Sequence, residues 1–157
     1  HFLLWRKYMI NRRNVVLGVI CILFALFFTS CEYFNQEIPF VIKNIEASLV
    51  SEQKEFVYSG VKFTFCNTSK KDISKITVCF TVYENEKGGN PFVTSNYIEA
   101  TFEGIINPGK EKNFEISLDE KIISAPKNPY YVDYFCVKSV YFTDNSYWKD
   151  SLGLLSY

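Results

Sequence analysis

The chain has 157 residues, of which 48% are hydrophobic, 18% aromatic and 22% charged, which excludes a disordered polypeptide and predicts one globular domain. Its 17 basic and 17 acidic residues balance, but the four cations before residue 31 leave 13 lysines against 17 acids after it, a net charge of −4. This acidic part contains no Arg, His or Met. Its composition argues against nucleic-acid binding, which requires clustered cations, and against catalysis by a histidine.

The N-terminal part is predicted to be an export signal. The only methionine is Met9, so residues 1–8 are interpreted as an upstream extension and residues 9–30 as the signal peptide. A basic pair, Arg12-Arg13, precedes an uncharged apolar run over residues 15–28. As a helix this run would be roughly 21 Å long, which is shorter than a comfortable bilayer span of ~20 residues. A hydrophobic signal helix is therefore favoured over a permanent membrane helix.

The apolar run ends in Phe28-Thr29-Ser30-Cys31. This ending resembles the lipobox of bacterial lipoproteins, in which small residues precede a cysteine that is lipid-modified and becomes the first mature residue. Phe28 departs from the usual Leu, whereas Thr29 and Ser30 fit; Cys21 follows bulky residues and is not the expected site. The resemblance implies lipid attachment at Cys31, with an ordinary cleaved secretion signal and an uncleaved anchor as alternatives. Two or more acyl chains, at about 0.8 kcal/mol per buried CH₂, would hold the protein on the extracytoplasmic side of a bacterial membrane.

Residues 31–43 are predicted to be a tether, and residues 44–157 a β domain. Apolar and polar residues alternate in several runs, most clearly in residues 76–83, where Ile76, Val78, Phe80 and Val82 share one face. The predicted strands are residues 44–50, 61–66, 76–83, 92–98, 100–103, 112–118 and 131–143.

Turn-forming residues separate the predicted strands. Asn107-Pro108-Gly109 suits a type II turn, because Pro fixes φ at the first central position and Gly accepts positive φ at the second. Asp144-Asn145-Ser146 lacks the Gly and terminal Glu of a calcium loop and is interpreted as a hairpin turn. About seven short strands at this spacing predict an antiparallel β-sandwich.

A strand-and-turn pattern covers about residues 44–143. It includes Asn67-Thr68-Ser69, a long strand ending in Tyr83-Glu84, and Asn107-Pro108-Gly109 before Phe114. This pattern resembles the immunoglobulin-like FxLyD-type domains of secreted and lipid-anchored bacterial proteins, although Glu84 stands where Asp is usual and Gly88-Gly89 replaces a single Gly. The resemblance implies an immunoglobulin-like sandwich in an extracytoplasmic protein. It implies no catalytic residues.

Few side chains after residue 31 suit catalysis or chelation. Cys66, Cys79 and Cys136 lie 13 and 57 residues apart without a histidine, which does not fit a zinc site, and no glycine-rich phosphate motif occurs. We therefore predict neither a metal nor a cofactor. These three thiols allow at most one internal disulfide. Alternation places Cys66 and Cys79 outward, whereas a break around Lys138 leaves the facing of Cys136 open; buried or half-buried free thiols are favoured, and a bridge stays undecided.

Aromatic residues are the remaining candidates for a binding site. The last predicted strand and hairpin contain Tyr131, Tyr147 and Trp148 among more rings than one strand face can bury. Some of these rings are expected to be exposed, and exposed Tyr and Trp suit contact with proteins or sugars. Cross-strand aromatic packing is the favoured alternative.

The sequence thus predicts a lipid-anchored envelope protein that acts as a non-enzymatic binding or structural module. Its expected partners are the membrane, through acylated Cys31, and an envelope or extracellular protein, but not nucleic acid. The alternative is an extracytoplasmic, hydrolase-type enzyme that uses Lys, Ser or carboxylate side chains on a β-sandwich.

Overall fold

Seven strands form two antiparallel sheets in the computed structural model, which describes residues 37–52, 55–151 and 153–157. In chain order the strands are β1 (Phe40–Glu52), β2 (Glu55–Asn67), β3 (Ile73–Tyr83), β4 (Tyr97–Ile106), β5 (Glu111–Ser117), β6 (Tyr131–Phe142) and β7 (Tyr147–Lys149). The three-stranded sheet has the order β1-β2-β5, and the four-stranded sheet has the order β4-β3-β6-β7. Ile38–Tyr157 make up one unit.

This strand order is that of an immunoglobulin-like sandwich. If β1 to β7 are matched to strands A, B, C, C′, E, F and G, the sheets are A-B-E and C′-C-F-G. The predicted all-β, immunoglobulin-like fold of about seven strands is thereby confirmed. Within the described ranges the only helical segment is a 3₁₀ helix, Asp119–Lys121, and none is long and apolar enough to cross a membrane. The predicted extension (1–8), signal helix (9–30) and lipid site Cys31 lie outside these ranges.

Alternating side chains from both sheets form the core. The predicted inward set of β3, Ile76, Val78, Phe80 and Val82, is at most 1% exposed, which confirms the period-2 prediction. Phe135 of β6 joins the two sheets, because its ring lies 4.9 Å from that of Phe63 in β2 and 5.6 Å from that of Phe80. Burying one such side chain contributes about 1.5–3 kcal/mol.

Several predicted boundaries differ from the structure; β2 and β3, for example, begin six and three residues earlier than predicted. β1 begins at Phe40, four residues earlier than predicted, because Phe40 and Ile42 are buried and extend the alternation into the predicted tether. The strands predicted at 92–98 and 100–103 are one strand, β4. Residues before Tyr97 instead form a loop, in which the Asn90 side chain accepts a hydrogen bond from Phe92 N and donates one to Thr94 O. Short polar side chains of this kind compete with strand pairing.

Both predicted turns are confirmed. Gly109 has a φ of 71°, and Lys110 N donates to Asn107 O over 3.1 Å. Between β6 and β7, Asn145 has a φ of 65° and Ser146 N donates to the Asp144 carboxylate over 2.9 Å.

The cysteine pairing in the structure differs from the favoured prediction that all three thiols are free. Cys79 and Cys136 form a disulfide between neighbouring strands of the same sheet, and Cys66 is free and half-buried. Cys79 lies opposite Cys136 in the β3–β6 register, where a Cα separation of 5.3 Å suits a disulfide. The expected bulge at Lys138 is present, since Thr77 pairs with Ser139 but Val78 pairs with Val137. Because this bulge hid the facing of Cys136, alternation alone could not pair the two residues.

Candidate functional site

The predicted aromatic residues do not form one surface. Trp148 is only 5% exposed, and its ring packs against Phe40 in an edge-to-face contact at 5.0 Å. Its neighbours Tyr147 and Lys149 face solvent, so strand alternation turns Trp148 into the core. Trp148 is therefore not one of the exposed rings that could contact a partner in this structure.

The two predicted tyrosines are exposed but lie far apart. Tyr147 is 52% exposed and pairs with Tyr141 across β6 and β7, with ring centroids 5.8 Å apart. The Lys75 ammonium lies 4.6 Å from the Tyr141 ring centroid. Tyr131 is 41% exposed at the other end of β6. At ~3.3 Å per residue, roughly 30 Å separates it from Tyr141, so Tyr131 and Tyr147 cannot contact one small ligand together.

A groove of about 430 Å³ lies instead on the outer face of the three-stranded sheet. Its volume is in the ~300–1,000 Å³ range of small-molecule sites. Its lining residues come from all three strands: Asn44 and Glu46 of β1, Lys62, Phe63 and Thr64 of β2, and Asn113, Phe114 and Glu115 of β5. The rings of Phe63 and Phe114 stack on each other within the core, so these residues line the groove with backbone.

A β-bulge in β1 positions the first wall of the groove. The β1–β2 register shifts between Lys43 and Glu46, and Asn44 has a φ of 53°. Asparagine is one of the few residues that adopt this left-handed conformation readily. The bulge directs the Asn44 side chain towards Thr64 of the adjacent strand, where its Nδ2 lies 3.5 Å from Thr64 Oγ1.

A chain of hydrogen bonds crosses the floor of the groove. Thr64 is 8% exposed, and its hydroxyl donates to Asn113 Oδ1 over 2.8 Å. Since Thr64 pairs with Asn113 in the β2–β5 register, the two side chains lie side by side on the outer face. Among the described residues no other group hydrogen-bonds to the Asn113 Nδ2 or the Asn44 Oδ1 atom. These amide atoms are therefore open to a ligand.

Charged side chains form the next row of the groove. Glu46, Lys62 and Glu115 occupy one register row across the three strands. Lys62 Nζ lies 3.3 Å from Glu115 Oε1, and both side chains are more than 40% exposed. Glu46 has no ion-pair partner within the part of the chain that the structure describes. The row therefore has one paired lysine and an excess of negative charge.

Tyr58 borders this charged row. It lies on the same face of β2 as Gly60 and Lys62, and burial together with a hydrogen bond to Glu115 raises the pKa of its hydroxyl to about 12. The ring lies along the sheet over Gly60: a Cβ atom added there would be 2.0 Å from the Tyr58 hydroxyl oxygen. Only glycine leaves room for this arrangement.

These groups can form hydrogen bonds and an aromatic contact. The described ranges contain no group of three or more His, Cys, Asp or Glu residues placed to hold a metal ion. Sequence reasoning missed the groove, because it identified residues 61–66 as a strand but could not tell which strands lie beside Lys62 and Thr64. Gly60, directly before that predicted strand and within β2, was the available signal for a close approach by another group.

Comparison with known proteins shows a similar fold in a solved structure. No family model matches the chain, and no curated protein matches it. A 1.85 Å X-ray structure of a hypothetical protein from Peptoclostridium difficile 630 is similar, with a TM-score of 0.53 and 16% sequence identity. The match covers 74% of this chain and 89% of that chain. At this identity the similarity shows a shared fold alone.

Proposed function

We propose that the protein is a lipid-anchored lipoprotein of the bacterial envelope whose β-sandwich is a non-enzymatic binding module. The order of basic pair, apolar run and Thr29-Ser30-Cys31 supports the anchor. Acylated Cys31 would hold the domain at the membrane surface, outside the cytoplasm.

The Cys79–Cys136 disulfide supports this location and is the structural observation that carries the proposal. Disulfides form and persist in oxidising compartments and are rare in the cytosol of mesophiles. A covalent bond between two strands of the domain is therefore typical of an exported protein.

The groove supports binding rather than hydrolysis. A lysine that acts as a base is usually desolvated, since burial lowers its pKa. Lys62 is instead 43% exposed at its side chain and paired with Glu115. The Asn44 and Asn113 amides are well suited to hold a ligand, but they provide neither a nucleophile nor a base.

Palmitate labelling of the full chain in bacterial cells tests the anchor. We expect label in the membrane fraction for the wild type and for Cys21→Ser, and loss of label for Cys31→Ser. Cys21 is the matched control, because it is the other cysteine of the N-terminal part. Label that survives Cys31→Ser would overturn the lipid assignment.

In-cell photo-crosslinking tests the binding role. A photoreactive residue at Glu46 should cross-link to an envelope component, whereas the same residue at Lys149, on the other sheet, should not. Absence of a groove-specific product, with the protein folded and exported, would contradict a binding function for this face.

A further inference from the structure

We infer that the groove on the three-stranded sheet binds a neutral carbohydrate, with its hydroxyl groups on the Asn44 and Asn113 amides and a sugar ring beside Tyr58. This inference rests on the proposed binding function and names its ligand class. It follows from three features of the groove: its open amide groups, its charge and its aromatic border.

The floor of the groove offers donors and acceptors that match sugar hydroxyls. Asn113 Oδ1 accepts a hydrogen bond from the Thr64 hydroxyl, which fixes the amide and leaves its Nδ2 donors without a partner among the described residues. Asn44 contributes its Nδ2 group to Thr64 and leaves its Oδ1 as an acceptor. A hydroxyl is both a donor and an acceptor, so adjacent hydroxyls can bind an amide donor on one side and an amide acceptor on the other. The 2.8 Å bond from Thr64 holds the Asn113 amide in place before a ligand arrives, whereas the Asn44 amide lies 3.5 Å from Thr64 and can adjust to a ligand.

The charge of the groove selects against other ligand classes. Among the described residues that line it, Lys62 is the only cation and is paired with Glu115, while Glu46 adds a carboxylate with no ion-pair partner in the same part of the chain. A phosphate or sulfate group would meet net negative charge, whereas recognition of such anions uses clustered Arg or Lys. A lipid would have to cover polar side chains, because the Phe63 and Phe114 rings point into the core. Neutral hydroxyls can instead donate to Glu46 without a charge penalty.

Tyr58 provides an aromatic border of the kind that a sugar ring contacts with its C–H groups. Its ring lies along the sheet over Gly60, on the face of β2 that also carries the groove residue Lys62. The pairing of an aromatic side chain with nearby polar groups gives apolar contact and orientation together.

The full chain in detergent micelles can be tested on an array of neutral gluco-, galacto-, manno- and N-acetylglucosamine oligosaccharides, with sulfated and sialylated counterparts. We expect binding to at least one neutral series and weaker binding to its anionic counterpart. Titration calorimetry with the best neutral oligosaccharide should then show at least a tenfold loss of affinity for Asn113→Ala and for Tyr58→Ala. Tyr147→Ala, which changes an exposed ring on the other sheet, should bind as the wild type does.

If the unfolding midpoint of Asn113→Ala or Tyr58→Ala falls below that of the wild type, Glu46→Gln is used in its place. This substitution changes an exposed side chain and should weaken binding at least threefold. The inference would be overturned if no neutral oligosaccharide bound this protein more strongly than it bound an unrelated lipoprotein. It would also be overturned if Asn113→Ala bound the oligosaccharide as tightly as the wild type. A groove-specific cross-link to a peptide without carbohydrate binding would refute the carbohydrate but keep the binding function. Cleavage of a bound oligosaccharide, detected by mass spectrometry, would keep the carbohydrate and refute the non-enzymatic role.

Discussion

Cys79 and Cys136 lie directly opposite each other in β3 and β6. Their disulfide joins residues that are 57 positions apart in the sequence and so closes a long loop of the chain. In the chain-entropy description a loop of this length stabilises the fold by about 4 kcal/mol, and measured values are typically about 2–4 kcal/mol. We expect the double variant Cys79→Ala, Cys136→Ala to lose about 2–4 kcal/mol of unfolding free energy in urea titrations.

Cys66→Ser serves as the control for that experiment, because Cys66 is free. It should change stability by less than about 1 kcal/mol, as is usual away from the core. Reductant should destabilise the wild type and Cys66→Ser but leave the double variant unchanged. Equal sensitivity of all three proteins to reductant would exclude the Cys79–Cys136 bridge.

Adjacent aromatic residues in β7 should differ sharply in their contribution to stability. Trp148 is buried against Phe40, so Trp148→Ala removes a large core side chain and should cost about 3–5 kcal/mol. Tyr147 is 52% exposed, and Tyr147→Ala should cost less than about 1 kcal/mol. Chemical denaturation followed by circular dichroism measures both. Similar losses for the two variants would contradict the inward placement of Trp148.

Asn67 holds the β2–β3 connection together from a fully buried position. Its Nδ2 group donates to Lys71 O and Ile106 O, and its Oδ1 accepts from Ser69 N. Asn67→Ala leaves these partners unsatisfied and should destabilise by about 2–3 kcal/mol. Asn85→Ala, at an exposed turn with one such bond, should cost under about 1 kcal/mol in the same urea titration. The reverse order would show that Asn67 is not a structural anchor.

Acid should weaken the contact between Asp144 and Lys71. Lys71 Nζ lies 2.7 Å from Asp144 Oδ2. The hydrogen bonds that Asp144 accepts from Lys71 and from Ser146 lower the pKa of Asp144 from its ordinary value of about 3.9. Since the folded pKa lies below the unfolded one, this stabilisation is complete above about pH 4–5 and is lost as pH falls towards the folded pKa. Asp144→Asn should therefore show a shallower loss of stability between pH 5 and pH 2 than the wild type.

Carboxyl NMR titration checks the cause of this shift. Lys71→Met removes the largest contribution and should move the Asp144 pKa upward, towards its ordinary value. An Asp144 pKa that does not change in Lys71→Met would contradict the ion pair.

A side chain at position 60 should displace Tyr58. The added Cβ of Gly60→Ala would lie 2.0 Å from the Tyr58 hydroxyl oxygen and 2.8 Å from the Ile116 carbonyl oxygen. Such overpacking costs about 1–3 kcal/mol. In a double-mutant cycle, Gly60→Ala should cost less in a Tyr58→Ala background, because only the backbone contact then remains. The same cost in both backgrounds would mean that Tyr58 does not lie over Gly60.

The strands and turns could largely be predicted from the sequence, because they depend on local chemistry. Alternation identified the inward face of β3, and the Pro108-Gly109 pair identified its turn. The merging of two predicted strands into β4 could not be predicted, since it depends on how Asn90 and Ser95 bond the backbone before Tyr97.

The groove could not be predicted for a different reason. Asn44, Thr64 and Asn113 are distant in sequence and meet only through strand order and a bulge that shifts the register. Trp148 shows the same limit, because a count of aromatic residues does not tell which rings the opposite sheet will cover.

Phe40 has a mechanical consequence. It begins β1, and its ring contacts Phe65, Trp148 and Tyr157, which belong to β2, β7 and the last described segment. If the chain is held by lipid upstream, as proposed, a pulling force enters the domain through β1 and is resisted by its hydrogen bonds to β2. Because the Phe40 ring also packs on three separate segments, the core would resist the peeling of β1 from the sheet that carries the groove.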